Sequence, residues 1–207
     1  MSSHHFVKEQ QEPAVFILST NDLDFETVSP LLEWVPTVLV WQECLDQVLS
    51  WGIKVDVILA EESFQRENLQ LLESQYPVRF LTAEKDNYLQ EGLQFLRASQ
   101  HKGAHLVGYS HEQTDLLNSE TEFLDLTILD AGWKYYPVKN GDFKKWFVAS
   151  TIRILGKEGM PVELSNEEGK LLLPLTYLTQ VEVPEGITEI KGKGVFWVGE
   201  EVKSLKN

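Results

Sequence analysis

Residues 52–63 read GIKVDVILAEES, in which a glycine and a basic residue lead into an apolar run that ends at two glutamates. The central part, Val55–Ala60, is short and rich in aliphatic residues. A run of this kind is typical of a strand that is covered on both faces of a parallel sheet. Five further runs share these properties, and they are Ala14–Ser19, Thr37–Trp41, Val78–Thr82, Ala104–Gly108 and Leu124–Leu129.

Longer amphipathic stretches separate these runs. Glu43–Trp51 stops before Gly52, and glycine commonly closes a helix in left-handed backbone. Asp86–Ser99 repeats leucine at a helical spacing, so that Leu89, Leu93 and Leu96 share one face. This alternation of strand and helix predicts the α/β class, with an N-terminal doubly wound parallel sheet.

The pattern changes after Leu129. Gly132–Val138, the Asn140-Gly141 pair and Phe143–Leu155 predict a β-hairpin, because both residues of an Asn-Gly turn tolerate positive φ. Short strands then alternate with turn residues to the end of the sequence. We therefore predict a small C-terminal β-sandwich at 131–207, after an α/β nucleotide-binding-like domain at 1–130.

The composition and net charge of the chain argue against two classes of partner. The chain has 207 residues and a formal net charge of −14, and its 18 Lys and Arg are scattered. Binding to nucleic acid or to an anionic membrane requires a basic face, so we expect neither partner. Cys44 is the only cysteine, no apolar run approaches the roughly 20 residues of a membrane span, and the opening MSSHHFVKEQQEP lacks the apolar core of a secretion signal. These features predict a cytoplasmic protein.

Polar residues follow four of the predicted strands, at the edge where open parallel sheets bind ligands. They are Thr20, Asn21, Asp22 and Asp24, then Glu61, Glu62 and Ser63, then Glu84, Lys85, Asp86 and Asn87, and finally Tyr109, Ser110 and His111. Carboxylates at three of these four ends suit a magnesium ion shared with a phosphate chain. Acidic and amide residues in such places are also ordinary helix caps, and the sequence leaves both interpretations open.

Motifs that would identify a site directly are absent from the sequence. It has no GxGxxG and no GxxxxGKS/T phosphate loop, and no GxSxG nucleophile turn. The five histidines lack metal-ligand spacing.

Two segments carry a resemblance to a known family. GIKVDVILAEES at 52–63 resembles the pattern GIxPDxIIGDFDS of thiamin pyrophosphokinases. Glu84-Lys85-Asp86 stands where that family has DKDxTD at the start of a helix. The next strand ends in a glycine, Gly108, as it does in the family, and a β-sandwich completes the family's fold. The order of elements is similar over nearly the whole chain.

The resemblance implies transfer of pyrophosphate from ATP to thiamin, with ATP and Mg²⁺ as cofactors of an active enzyme, and a homodimer. It also implies the roles of seven positions, one of which has two roles. The catalytic residues would be Lys85 and Asp86, the metal ligands Glu61, Glu62 and Asp86, and the cofactor contacts Ser63, Asn87 and Ser110.

Departures from the family pattern put the activity in doubt. Glu61 and Glu62 replace aspartates with altered spacing, and Tyr88 and Leu89 replace a Thr-Asp pair. The family's GGRxDH after the fifth strand is missing, and Trp41-Gln42-Glu43 stands in place of its DGG. Each lost contact can cost about 2.7–4 kcal/mol, by analogy with a single oxyanion-hole donor. The sequence therefore predicts weakened or lost catalysis.

A second hypothesis is a non-catalytic ligand-sensing or dimeric interaction protein on the same scaffold. The C-terminal part has aromatic residues that would suit it, and they are Trp133, Tyr135, Tyr136, Trp146, Phe147 and Trp197. The same residues also suit a core between two sheets, and the sequence does not decide between these uses.

Overall fold

The computed structural model describes residues 12–21 and 23–202, which form two compact units. The first comprises residues up to Tyr109 together with Phe123–Asp125. The second comprises Ser110–Glu122 and the residues from Leu126 onward. The domain boundary near residue 130 stays a prediction. Within the described ranges, no helix has both the length and the apolar character needed to cross a membrane.

The first unit contains five parallel strands with helices between them. The strands are β1 (Ala14–Ile17), β2 (Val38–Trp41), β3 (Val57–Ala60), β4 (Arg79–Thr82) and β5 (Gly103–Val107). The helices are α1 (Phe25–Val28), α2 (Leu45–Ser50), α3 (Glu62–Glu67), α4 (Leu71–Ser74) and α5 (Tyr88–Ala98). The strand order is β4–β3–β2–β1–β5, so the chain winds outward from β1 in one direction and then in the other.

Burial follows this strand order. Every residue of β1, β2 and β3 is buried, as their apolar runs predict. No residue of β4 is buried, because β4 lies at the edge of the sheet. The prediction that this strand is covered on both faces is therefore wrong, although its position in the chain is correct.

Helix α5 packs on β1 through the ring of Phe16, which lies against a glycine of the helix. Gly92 faces the buried ring of Phe16, and a methyl group at position 92 would lie 2.2 Å from the Cε1 atom of that ring. Leu89, Leu93 and Leu96 are buried on the same helix, as the sequence predicts. Glycine thus sets the distance between the helix and the sheet.

The second unit consists of antiparallel strands in two groups. The strands are β6 (Asp125–Asp130), β7 (Trp133–Val138), β8 (Asp142–Phe147), β9 (Ser150–Leu155), β10 (Pro161–Asn166), β11 (Gly169–Pro174), β12 (Thr179–Val183), β13 (Gly186–Gly192) and β14 (Phe196–Glu201). One group has the order β12–β9–β14–β7–β6 and the other the order β11–β10–β13–β8. Their apolar side chains form one core, which includes Ile152, Val162, Ile190 and Phe196. The predicted fold class, an α/β sheet followed by a β-sandwich, is confirmed.

The hairpin predicted around Asn140-Gly141 is wrong. β7 pairs with β6 and β14, whereas β8 pairs with β13 in the other sheet. The turn therefore carries the chain from one sheet to the other instead of closing a hairpin. Gly141 has a φ of 72°, and its carbonyl accepts a hydrogen bond from the N–H of Gly192 at 2.8 Å. The sequence predicts the position of this turn, but Asn140 does not adopt the positive φ expected of it, and local sequence does not determine which strands pair.

Candidate functional site

The loops that follow β2, β3 and β4 lie together at the carboxyl edge of the first unit's strands. The backbone N–H of Glu61, after β3, donates to Oε1 of Gln42, after β2, at 2.8 Å. The ammonium group of Lys85, after β4, lies 3.1 Å from Oε1 of Glu43. The edge thus brings together one cation and carboxylates from separate loops.

Lys85 is the best-defined charged residue of this edge. Its hydrogen bond with Glu43 raises its pKa, and the charges of Glu43 and then of Glu61 raise it further. Both side chains of the Lys85–Glu43 pair are largely exposed, at 71% and 56%. Exposed ion pairs are weak because water and salt screen them. An incoming anion can therefore compete with Glu43 for Lys85.

Glu43 is a site residue that the sequence does not predict. It lies two residues after the end of β2, at the position where the family's DGG motif is absent. Its place at the carboxyl end of a parallel strand was the available signal, as it was for Glu61 and Lys85.

The predicted metal ligands do not form a cluster. Among residues 12–21 and 23–202, no three His, Cys, Asp or Glu side chains are grouped as a metal site requires. Glu62 pairs instead with Arg66 one helical turn away, at 3.1 Å. The structure therefore does not gather Glu61, Glu62 and Asp86 around a common point.

Two polar positions after the strands bond within their own segments. Asp24 accepts a hydrogen bond from the N–H of Thr27 at 3.0 Å and so caps α1, which confirms the capping interpretation for this residue. Asn87 accepts one from the N–H of Glu84 at 2.9 Å, which closes the turn before α5. The side chain of Asn87 makes no capping hydrogen bond to α5. Asp86 and Ser63 are exposed at this edge, and Asp22 lies outside the described residues.

An aromatic pair covers part of the edge. Tyr88 stacks on the buried ring of Trp41, with ring centroids 4.5 Å apart and 20° between the planes. Burial raises the pKa of Tyr88, and the nearby Cys44 and Glu43 add to this effect. Cys44 is itself buried, and burial raises its pKa to about 11, so the thiol stays protonated at neutral pH. Burial thereby disfavours a thiolate at this position.

Ser110 belongs to the second unit, where it caps a 3₁₀ helix. Its Oγ atom accepts a hydrogen bond from the N–H of Glu112 at 3.3 Å. The adjacent His111 is held twice by Oδ2 of Asp130, through its backbone N–H at 2.9 Å and its Nδ1 at 2.7 Å. The His111 ring also lies parallel to Tyr135, at a centroid distance of 5.2 Å.

The aromatic residues of the second unit divide between core and surface. Tyr135, Phe147 and Trp197 are buried, and the indole N–H of Trp197 donates to Oδ1 of Asn118 at 3.0 Å. Trp146 is 54% exposed. Core packing thus accounts for half of the six aromatic residues singled out in the sequence.

The chain combines a parallel α/β unit with a following β unit of two sheets, and this combination is its class of fold. No protein-family model and no curated protein sequence matches the chain. Solved structures do match, and several of them are thiamin pyrophosphokinases. The enzyme from Bacillus subtilis has a TM-score of 0.68 at 10% identity, over 92% of this chain and 98% of that one.

Two further thiamin pyrophosphokinase structures are similar to this chain over most of its length. The enzyme from Geobacillus thermodenitrificans has a TM-score of 0.67 at 12% identity, over 93% of this chain and 98% of that one. The yeast enzyme has a TM-score of 0.58 at 9% identity, over 97% of this chain and 90% of that one. This chain therefore has the thiamin pyrophosphokinase fold, and the resemblance stated from sequence is confirmed at that level.

Proposed function

We propose that this chain is a thiamin pyrophosphokinase-like protein that binds a phosphate-bearing ligand at the carboxyl edge of β2–β4 and transfers pyrophosphate from ATP to thiamin slowly or not at all. The observation that supports the proposal is the position of Lys85 among the three loops of that edge, in a chain that shares the fold of these enzymes over at least 92% of its length.

The ligand chemistry follows from the charges at the edge. Phosphoryl transfer depends on cations and on preorganised donors placed against phosphate oxygens. Lys85 supplies the cation, and its exposed partner Glu43 can be displaced by a phosphate. The half-buried ring of Tyr88 offers an apolar surface beside it for a ring of the ligand.

The fold family implies Mg²⁺, and the described residues do not fit a protein-built magnesium site. The family pattern holds the ion with several aspartates. No group of three ligating side chains exists in the described part of this chain, and Glu62 is paired with Arg66. We therefore derive no step through a metal. The absence of this contribution is the physical reason for expecting slow turnover or none.

The test is calorimetry with ATP and Mg²⁺ and with thiamin, combined with an assay for thiamin diphosphate formation. We expect binding of ATP, and product at a rate far below that of a site with a complete metal-ligand set, since each missing contact costs roughly 10²–10³ in rate. Lys85→Gln should weaken ATP binding about fivefold. Lys102→Gln, at another exposed lysine of the first unit, should leave ATP binding unchanged.

Two results would contradict the proposal. One is ATP affinity that is equal in the wild type and in Lys85→Gln, and the other is no binding of either ligand. Binding without any product would support the ligand-sensing alternative, and binding of neither ligand would support an interaction protein. No contact among the residues described here favours either alternative.

We also propose that the protein is a cytoplasmic homodimer. Trp146 on β8 and Ile187 on β13 are exposed neighbours directly across the two strands, at 54% and 48%, and they offer an apolar area for a second copy. The net charge of −14 argues against a nucleic-acid or membrane partner.

A further inference from the structure

The first unit contains a cavity of about 590 Å³ at the edge opposite to Lys85. The residues that enter three parallel strands line it: Thr37 before β2, Asp56 before β3, and Arg79 at the start of β4. Because parallel strands begin at one edge of a sheet, these three positions are neighbours there. The cavity is therefore separate from the carboxyl edge to which the proposed function belongs.

Backbone hydrogen bonds fix the sheet side of this cavity. The N–H of Asp56 donates to the carbonyl of Val38 at 3.0 Å, and the N–H of Arg79 donates to the carbonyl of Asp56 at 3.1 Å. The carboxylate of Asp56 reaches back and accepts the N–H of Val38 at 2.8 Å. With these groups already paired, the sheet side of the cavity is formed before any ligand arrives.

The remaining lining is mainly apolar. Phe25, Leu32, Trp51, Ile53 and Pro77 contribute to it. Small-molecule sites in proteins have volumes of about 300–1,000 Å³, apolar and aromatic walls and a few charged or polar groups. This cavity has a volume within that range and a lining of apolar residues with three charged ones.

The cavity lining has more positively charged than negatively charged side chains. Lys54 and Arg79 are cationic, and Asp56 is the one acidic residue among the lining residues. Lys54 lies 3.9 Å from the Asp56 carboxylate, which already accepts a backbone N–H. The guanidinium of Arg79 stacks on Phe95 at 4.6 Å, a contact that uses its face and not its in-plane N–H donors. In a chain of net charge −14, this local excess of positive charge is complementary to an anion.

Backbone strain occurs at the same place. Val35, another lining residue, has a φ of 53°, which β-branched residues rarely adopt. Such strain tends to persist at ligand-binding segments, where the surrounding structure imposes it.

We propose that this cavity binds a small organic anion with an aromatic or aliphatic body and a single carboxylate or sulfonate group. The body lies against the apolar walls, and the anionic group binds Arg79 and Lys54. The proposal is independent of the proposed function, because it concerns the opposite edge of the strands and requires no phosphate transfer.

The test uses two fluorescent probes of similar shape, anilinonaphthalene sulfonate, which is an anion, and phenylnaphthylamine, which is neutral. We expect the full-length protein to bind one anionic probe per chain. Arg79→Gln should weaken that binding about fivefold or more and leave the neutral probe within about twofold. Leu32→Trp, which fills the cavity, should weaken the binding of both probes.

Arg97→Gln is the matched control, because Arg97 also stacks on a phenylalanine, Phe123, away from the cavity. It should leave the affinity for both probes unchanged. Three results would overturn the proposal: no binding of the anionic probe, equal affinity in the wild type and in Arg79→Gln, or equal losses in the two arginine variants. Circular dichroism of each variant checks that the fold is retained, and Arg79→Gln decides the question even if Leu32→Trp does not fold.

Discussion

Alanine at position 92 tests how closely helix α5 must approach strand β1. The new methyl carbon would lie 2.2 Å and 2.4 Å from two ring carbons of Phe16, a residue with no exposed surface. Carbon atoms in contact are normally about 3.5–4.0 Å apart. The ring or the helix must therefore retreat by more than an ångström, and a close-packed interior resists such a movement.

Two opposing effects determine the size of the change. Alanine is more favourable than glycine in a helix interior by about 1 kcal/mol. Overpacking a core costs about 1–3 kcal/mol, and the overlap with an aromatic ring places this case at the upper end. We expect Gly92→Ala to lower the free energy of unfolding by about 2 kcal/mol.

Urea unfolding followed by tryptophan fluorescence measures this effect. With an m-value of about 2 kcal/mol/M, the midpoint should fall by about 1 M. Gln94→Ala is the control, because it places alanine at an exposed position of the same helix, and it should leave the midpoint unchanged or slightly higher. Combining Gly92→Ala with Phe16→Leu should recover part of the loss, because the two positions are coupled. A Gly92→Ala protein as stable as the wild type would refute the reasoning, since helix propensity alone would then prevail.

Two further predictions concern pH and assembly. Burial of the His101 ring, reinforced by the charge of Arg79, lowers the pKa of this residue below 6.5. The contribution of neutral His101 to stability is therefore complete above pH 6.5, and it is lost as the pH falls towards the folded-state pKa. His101→Gln should therefore show a smaller drop in urea midpoint between about pH 7.5 and 5.5 than the wild type, and an identical drop would show that another group titrates. Light scattering should give twice the chain mass of 23.7 kDa, and Trp146→Ser should shift the protein towards that single-chain mass. A wild-type mass of one chain would contradict the dimer.

The sequence predicted the parallel sheet well because each of its strands carries its own signal. Ala14–Ile17, Val38–Trp41 and Val57–Ala60 are apolar at every position, and burial on both faces requires that pattern. The same reasoning failed at β4, where the run from Val78 to Thr82 is similar but the strand lies at an edge. A strand's place in the order depends on the other strands, and its own residues do not encode it.

The sequence indicates Lys85 and Glu61 as candidate site residues because they follow strands. The structure brings their loops together, and their roles stay predictions. Glu43 matches no motif and meets Lys85 only in the folded chain, and the cavity lined by Arg79 lies at the opposite edge of the strands, where no sequence motif marks it. Contacts between loops distant in sequence arise from tertiary packing, and no local sequence pattern predicts them.

The position of β14 bears on how the second unit can assemble. Residues 196–201 form the last strand that the structure describes, yet they lie between β7 and β9 and bond to both. During synthesis, β7 and β9 have no common neighbour to join them until those residues leave the ribosome. Such late, long-range pairing makes folding slow and leaves strand edges unprotected for longer. Loss of this one strand would divide the sheet into two separate pieces.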